Sequence, residues 1–459
     1  MTYIVQISAN ETNKKECALI SIFDDLTNTT VCCVDINLRA LIYKQQIPSD
    51  TVLDLLVIAS VVYTLDRAVE RKDTDDRWTR NFSIRIPVHS VQLWSRSSKI
   101  LSECLCFLSG DEWSIAFEKR TCSMYREIPR KRKSEKKMIE ENLPTPHAVS
   151  LFSGGIDSLV GVIDWLEEND THTIAAVGHH DTTIAGTNSV QETVLENIDG
   201  YYQNRIIPFF SGIGPLRVKG QKRKDRETTT RSRSFMFLAM GVFVADMVGT
   251  DIPVLIPENG TIALNVPLTP SRRGSCSTRT AHPYYIHLFQ KLLSKLKLKH
   301  TILNPLLHKS KGEVVSGCRN QLLLHKIIAN TVSCAKSGHT RWWRNHTAHS
   351  CGACMPCIYR RAALHKVGID METYGYDICC GDVDLDDRES KSARDLRACL
   401  FFLSKNYSSD DIARILWTNG NLEAGKIQEY AETVYRAMDE IRQLFRDKGT
   451  KRIKELAKL

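Results

Sequence analysis

Ser153-Gly154-Gly155-Ile156-Asp157-Ser158 is the stretch of this chain whose residue types and spacing best suit chemistry. The apolar run Ala148–Phe152 ahead of it reads as a buried parallel strand. Gly154 and Gly155 let the backbone take positive φ and come close to a ligand. Ser158 stands where a helix N-cap belongs, and Leu159, Val160, Val162, Ile163 and Leu166 give the next helix an apolar face. Strand, glycine turn and helix start together make an anion site, because unpaired amides and the positive end of the helix dipole point at one spot. No Lys-Ser/Thr pair follows the glycines, which excludes a Walker loop.

A second constellation is Cys351-Gly352-Ala353-Cys354-Met355-Pro356-Cys357. Three cysteines at two-residue spacing, with a glycine that lets the chain fold back, suit tetrahedral zinc. Cys334 is the natural fourth thiolate, with His339, His346 and His349 as rivals. A site with no open ligand position makes the zinc structural, worth on the order of 10 kcal/mol to local folding.

The elements that must position these groups are legible from residue 147 onward. Thr173–Val177 reads as a strand running into Gly178-His179-His180-Asp181, Val190–Ile198 as a helix and Arg205–Phe210 as a strand. Phe235–Val248 follows as a long apolar helix, then strand Pro253–Ile256 and the turn Pro257-Glu258-Asn259-Gly260. Tyr284–Leu296 is helical and His300–Leu303 strand-like. Such alternation predicts an α/β fold with a doubly wound parallel sheet. Ligands in these sheets collect at the carboxyl ends of the strands, so the glycine loop, His179 and the turn holding Glu258 and Asn259 should face one cleft.

Two further stretches carry polar chemistry. The basic run Arg217–Arg233 is either a surface loop or a lid over bound phosphates, with Arg231 and Arg233 adjoining the helix start. Ser275–Pro283, with Ser277, Thr278, Arg279 and His282, either recognises a polar heterocycle or is a well-bonded loop. Gly420–Lys426 imitates a Walker loop but has Ile427 where magnesium needs a hydroxyl.

Residues 1–125 read as a β-rich N-terminal domain around one apolar helical segment, Val52–Leu65. A basic linker, 126–146, leads to the α/β domain at 147–330, the zinc-binding segment and helix at 331–380, and a helical appendage at 381–459. At 459 residues, 42% hydrophobic and 25% charged, the chain has the composition of a globular protein. Its net charge of +9 permits a nucleic-acid partner without requiring one. The first ten residues lack a signal-peptide pattern, no apolar run reaches membrane-spanning length, and fifteen cysteines fit reduced thiols, so a cytoplasmic location is expected.

Ser-Gly-Gly-x-Asp-Ser at 153–158 resembles the pyrophosphate loop of PP-loop ATP pyrophosphatases, of the adenine-nucleotide alpha hydrolase-like fold. Joined to the Cys334…Cys351-Gly352-x-Cys354-x-x-Cys357 pattern, it looks like the 7-cyano-7-deazaguanine synthase (QueC) family over roughly Ala148–Leu364. Arg233-Ser234-Phe235 and Leu306 to Lys311-x-Glu313 also resemble family segments. Pro257–Leu268 and Ser277–Thr280 are closer to the QueC-like proteins of antiphage defence operons, the QatC group. The resemblance implies adenylation of a 7-deazaguanine carboxylate by ATP with Mg2+, followed by attack of an amine, either ammonia or an amine on a partner protein from the operon. It implies that amides of Ser153–Ser158 hold pyrophosphate and that Asp157 serves the magnesium–phosphate end, unless it caps the helix. Arg233 would neutralise phosphate charge, and Lys311 would orient nucleotide or substrate. Gly178-His179-His180-Asp181 departs from the family's usual segment, which leaves the product open. A tRNA-modifying PP-loop enzyme and a nucleotide-binding scaffold are the rival readings.

Overall fold

The computed structural model describes residues 2–9, 17–41, 46, 48–122, 144–180, 187–214, 216–218, 220, 227, 229–272 and 279–459. Most of the basic linker, Asp181, positions 221–226 of the basic run, Ser277 and Thr278 lie outside the described residues.

In the first 125 residues, β1 (Thr2–Ala9), β2 (Cys17–Asp24) and β3 (Thr30–Asn37) pair antiparallel in chain order. Helix α1 (Asp50–Ala68) covers the apolar segment read from the sequence. β4 (Asn81–Val88), α2 (Val91–Ser109) and β5 (Glu112–Lys119) then add two parallel strands beside β1. The β-rich reading therefore misses a helix: α2 is the crossover that parallel β4 and β5 require. The result is a mixed sheet with two helices.

β6 (Ala148–Leu151), α3 (Ile156–Glu168), β7 (Ile174–His180), α4 (Thr187–Asp199) and β8 (Ile206–Gly212) begin the second sheet. The chain then crosses to the first sheet, where β9 (Arg217–Val218) pairs antiparallel with β3. It returns through α5 (Arg233–Val248) to β10 (Val254–Leu255), α6 (Gly260–Leu264), α7 (Pro283–Lys295) and β11 (Ile302–Leu303). The second sheet is wholly parallel, in the order β11-β10-β6-β7-β8. Strand order reverses between β6 and β10, which is where open α/β sheets bind ligands.

The parallel strands alternate between two apolar layers, as a period of two demands. Val149, Leu151, Ala175, Val177, Ile207 and Phe209 join α5, whose apolar residues surround it on nearly all sides. Ala148, Phe152, Ile174, Ala176 and Ile206 join Leu159, Ile163 and Leu166 of α3 and Val194 of α4. The α5 layer is continuous with α1, α2 and the mixed sheet, so a single apolar cluster spans both sheets.

That junction also holds a buried ionic network. Asp66 at the end of α1 accepts Arg80 Nη2 at 2.6 Å and both the amide and hydroxyl of Ser232, at 2.8 and 2.7 Å. Asp111 accepts both terminal nitrogens of Arg71, each at 2.8 Å, and Arg80 Nη2 at 2.7 Å. Burial pulls the Asp66 carboxyl upward, yet Arg80 and the Ser232 bonds hold it below its ordinary value. Ser232 is the N-cap of α5, so the N-terminal region fixes where that helix starts.

Downstream lie α8 (Lys311–Ser316), α9 (Gln321–Ile327), the cysteine segment and α10 (Met355–Lys366). The tail forms α11 (Arg394–Ser404), α12 (Ser409–Trp417), α13 (Ile427–Lys448) and α14 (Lys451–Ala457), which share a core with Leu264, Val266 and Leu268. Gly420–Lys426 follows helix α12, not a strand, in keeping with its rejection as a Walker loop. Among the described residues, no helix is long and apolar enough to cross a membrane.

Candidate active site and metal centre

The glycine loop leaves β6 at the sheet's carboxyl edge. Gly154 has φ +79°, a conformation that a residue with Cβ adopts only under strain. The N-cap of α3 is Gly155, not Ser158 as its residue type suggested. Ser158 instead lies in the first turn, where its Oγ donates to Gly155 O at 3.0 Å and sits 3.2 Å from Ser153 Oγ. Ser153 Oγ in turn accepts Gly155 N at 3.3 Å. The two serines thus fix the turn, while the first-turn amides of α3 have no intrahelical acceptor.

Asp157 is not a helix cap. Its Oδ2 accepts Lys311 Nζ and Asn259 Nδ2, both at 2.8 Å. Asp157 is 8% exposed and Lys311 4%, so the ion pair is shielded from water. Asp157 Oδ1 is buried without a hydrogen-bond partner. Beside it, burial first, then the Asp157 charge, push the Glu258 carboxyl up to about 8, while Lys311 pulls it down. Asn304, just past β11, holds the Glu258 backbone from both sides, accepting its N–H at 3.3 Å and donating to its carbonyl at 2.9 Å. Asn259 Oδ1 caps α6 through Ile262 N. The loops after β6, β10 and β11 therefore meet at the reversal of strand order.

Arg233, exposed at the start of α5, donates to His179 O at 3.2 Å and so lies at the end of β7. The His179 ring itself is fully buried, edge-on to Tyr63 and Phe237 at 5.2 and 5.6 Å, with no hydrogen-bond partner on either nitrogen. Burial, and then Arg233, drives its pKa well below the ordinary value, so the ring is neutral. Arg279 and His282, read either as heterocycle contacts or as part of a well-bonded loop, make contacts with Phe107 and Tyr284. Arg279 lies 4.2 Å over the Phe107 ring and donates to Phe107 O, while His282 Nδ1 accepts Tyr284 N to cap α7. Arg231, in the run read as either a surface loop or a lid, is buried over Trp78 at 4.2 Å and donates to Ser109 O.

The four cysteines converge as their spacing predicts. The sulfurs of Cys334, Cys351, Cys354 and Cys357 lie within 4.8 Å of one another. Tetrahedral zinc with Zn–S near 2.3 Å sets its sulfurs about 3.8 Å apart, and Cys351 Sγ lies 3.8 Å from Cys357 Sγ. Lys336 N and Cys351 N donate to Cys334 Sγ, and Cys354 N to Cys351 Sγ, each at 3.3 Å, which favours thiolates. Hydrogen bonds from Cys334 and the other thiols hold Cys351 below its ordinary value. This donor set fits zinc. His339, His346 and His349 are exposed and stay outside it.

The cysteine segment also touches the glycine loop, a contact absent from any local pattern. Val332 N donates to Gly154 O at 3.2 Å, and Arg360, three residues past Cys357, holds Thr331 Oγ1 at 2.8 Å and Ile328 O at 2.9 Å. A separate cavity of about 520 Å³ beside β4, lined by Glu70, Asp73, Asp75, Asp76 and Glu112, includes none of the residues gathered at the sheet edge. Several of its carboxylates serve the local fold: Asp76 accepts the amides of Trp78 and Thr79, and Glu70 pairs with Lys72.

No family model matches the chain, and neither a curated protein nor a solved structure matches it.

Proposed function

We propose that the chain is a QueC-like PP-loop enzyme that activates a 7-deazaguanine carboxylate, or a similar acid, with ATP. A substrate carboxylate oxygen attacks the α-phosphorus, the bond to the bridging oxygen breaks, and pyrophosphate leaves. An amine then attacks the acyl carbon, loses a proton and expels AMP. The observation that carries this reading is the convergence of glycine loop, Lys311 and two carboxyls where strand order reverses.

Each group has a matching role. The loop amides accept the charge of the leaving pyrophosphate, and Arg233 neutralises phosphate charge from the end of β7. Lys311 moves from Asp157 toward incoming phosphate oxygens, at little electrostatic cost if a cation takes its place. Asp157 Oδ1 and the Glu258 carboxyl are hard oxygen donors that fit Mg2+, which supplies charge neutralisation on the phosphates when bound. The zinc centre is structural. The acceptor amine belongs to a partner protein of an antiphage defence operon, or is ammonia.

The test is incubation with ATP, Mg2+ and 7-carboxy-7-deazaguanine, with ammonia or operon partners, followed by AMP and pyrophosphate assay and intact-mass measurement. Stoichiometric AMP and pyrophosphate with a mass gain on an acceptor is expected. Nucleotide binding without turnover would make it a scaffold. Salt-sensitive tRNA binding with no deazaguanine turnover would favour the tRNA-modifying reading.

A further inference from the structure

We propose that Glu440, on the C-terminal helix α13, is a positioning residue for Lys311, so that the tail sets the geometry of the nucleotide site. Glu440 is 8% exposed and directed at the first turn of α8. It accepts Ser310 Oγ, Gly312 N at 3.0 Å and Lys366 Nζ at 2.9 Å. Ser310 and Gly312 flank Lys311, so one carboxylate fixes the backbone on both sides of the residue that reaches Asp157. The approach is close: a Cβ on Gly312 would lie 2.4 Å from Glu440 Oε1.

The same helix makes a second clamp. Arg436 Nε donates to Glu313 Oε1 at 2.7 Å, and Arg436 Nη2 to His308 O at 2.9 Å. Glu313 closes the capping box of α8 by accepting Ser310 N at 2.7 Å. Lys366, from α10, pairs with the same Glu440 carboxylate and compensates its charge. A tail that only filled space would present apolar side chains here. This one presents an ion pair and an arginine to the loop that carries Lys311.

The catalytic consequence rests on the proposed ATP chemistry, but the positioning itself does not. The test is Glu440→Gln in the full chain, read by trace acetylation of Lys311 with peptide mass spectrometry and by ATP affinity from calorimetry. Loss of one charge-assisted anchor should raise Lys311 labelling and weaken ATP binding roughly tenfold each, with exposed Lys405 labelled as before. Glu432→Gln, on the exposed side of α13, should change neither. If Glu440→Gln does not fold, Arg436→Gln removes the second clamp and should move Lys311 labelling in the same direction. Unchanged Lys311 labelling in a folded variant overturns the proposal. Wild-type protein that binds no ATP defeats the proposed function instead, and the labelling still decides the role of Glu440.

Discussion

Replacing Glu258 by glutamine should remove a pH dependence of stability that the wild type carries. Burial and Asp157 raise the Glu258 carboxyl from its ordinary 4.5 to about 8. The folded chain therefore keeps a proton that the unfolded chain surrenders near 4.5. The associated stability is fully present below that value and is lost as pH rises through about 8. At 1.36 kcal/mol per tenfold change in proton affinity, the ceiling is about 5 kcal/mol. Glu258 is partly reached by solvent, which screens its charge, so roughly 2–3 kcal/mol should be observed. The assay is denaturant unfolding of both proteins in magnesium-free buffer across that range. Wild type should lose this increment relative to Glu258→Gln between about pH 5 and about pH 9. Added Mg2+ should flatten the wild-type curve, because a cation beside Asp157 and Glu258 compensates the charge that Glu258 gains on losing its proton. Parallel curves for the two proteins would refute the raised Glu258 carboxyl.

Three other outcomes are expected. Cys357→Ser should abolish the single zinc equivalent measured by atomic emission, lower the melting temperature, and raise hydrogen exchange in the peptide covering Gly154, because Val332 loses its support. Arg80→Ala leaves Asp66 and Asp111 buried with lost partners and should cost about 3–5 kcal/mol in denaturant unfolding. Gly312→Ala drives a methyl into the Glu440 carboxylate and should cost about 1–3 kcal/mol in the same unfolding assay, with weaker ATP binding by calorimetry.

What was legible in the sequence depended on distance along the chain. The glycine turn and the three close cysteines encode their geometry within a dozen residues, whereas coordination number asks for a fourth ligand without choosing Cys334 over His339, His346 and His349. The parallel strands after residue 147 are short apolar runs bounded by turns, and those runs became β6, β7, β8, β10 and β11. Helix α2 had a usable signal, since Trp94, Leu101, Leu105 and Leu108 recur on one helical face, but neighbouring strands dominated the reading. Residue chemistry alone left the roles of Arg231 and Arg279 open. A guanidinium suits phosphate, yet it stacks equally well on Trp78 or Phe107. Lys311 meets Asp157 across 154 positions and Ser310 meets Glu440 across 130. A single sequence carries no local trace of either pairing.

Those long-range pairings determine how the site holds its shape. Each part of the sheet edge is tied to a different remote region: Gly154 to the cysteine segment through Val332, the start of α5 to α1 through Asp66, and Lys311 to α13 through Glu440. A single such hydrogen bond is worth only about 0.5–1.5 kcal/mol, or up to about 3 when charged. None can organise the loops alone. What makes them effective is that each partner is itself immobilised: Asp66 by full burial and Arg80, Val332 by the adjoining cysteines and Arg360, and Glu440 by Lys366 and the tail core. Rigidity at the edge is thus borrowed from three folded bodies. Loosening any one should disorder its own part of the site before it unfolds the chain.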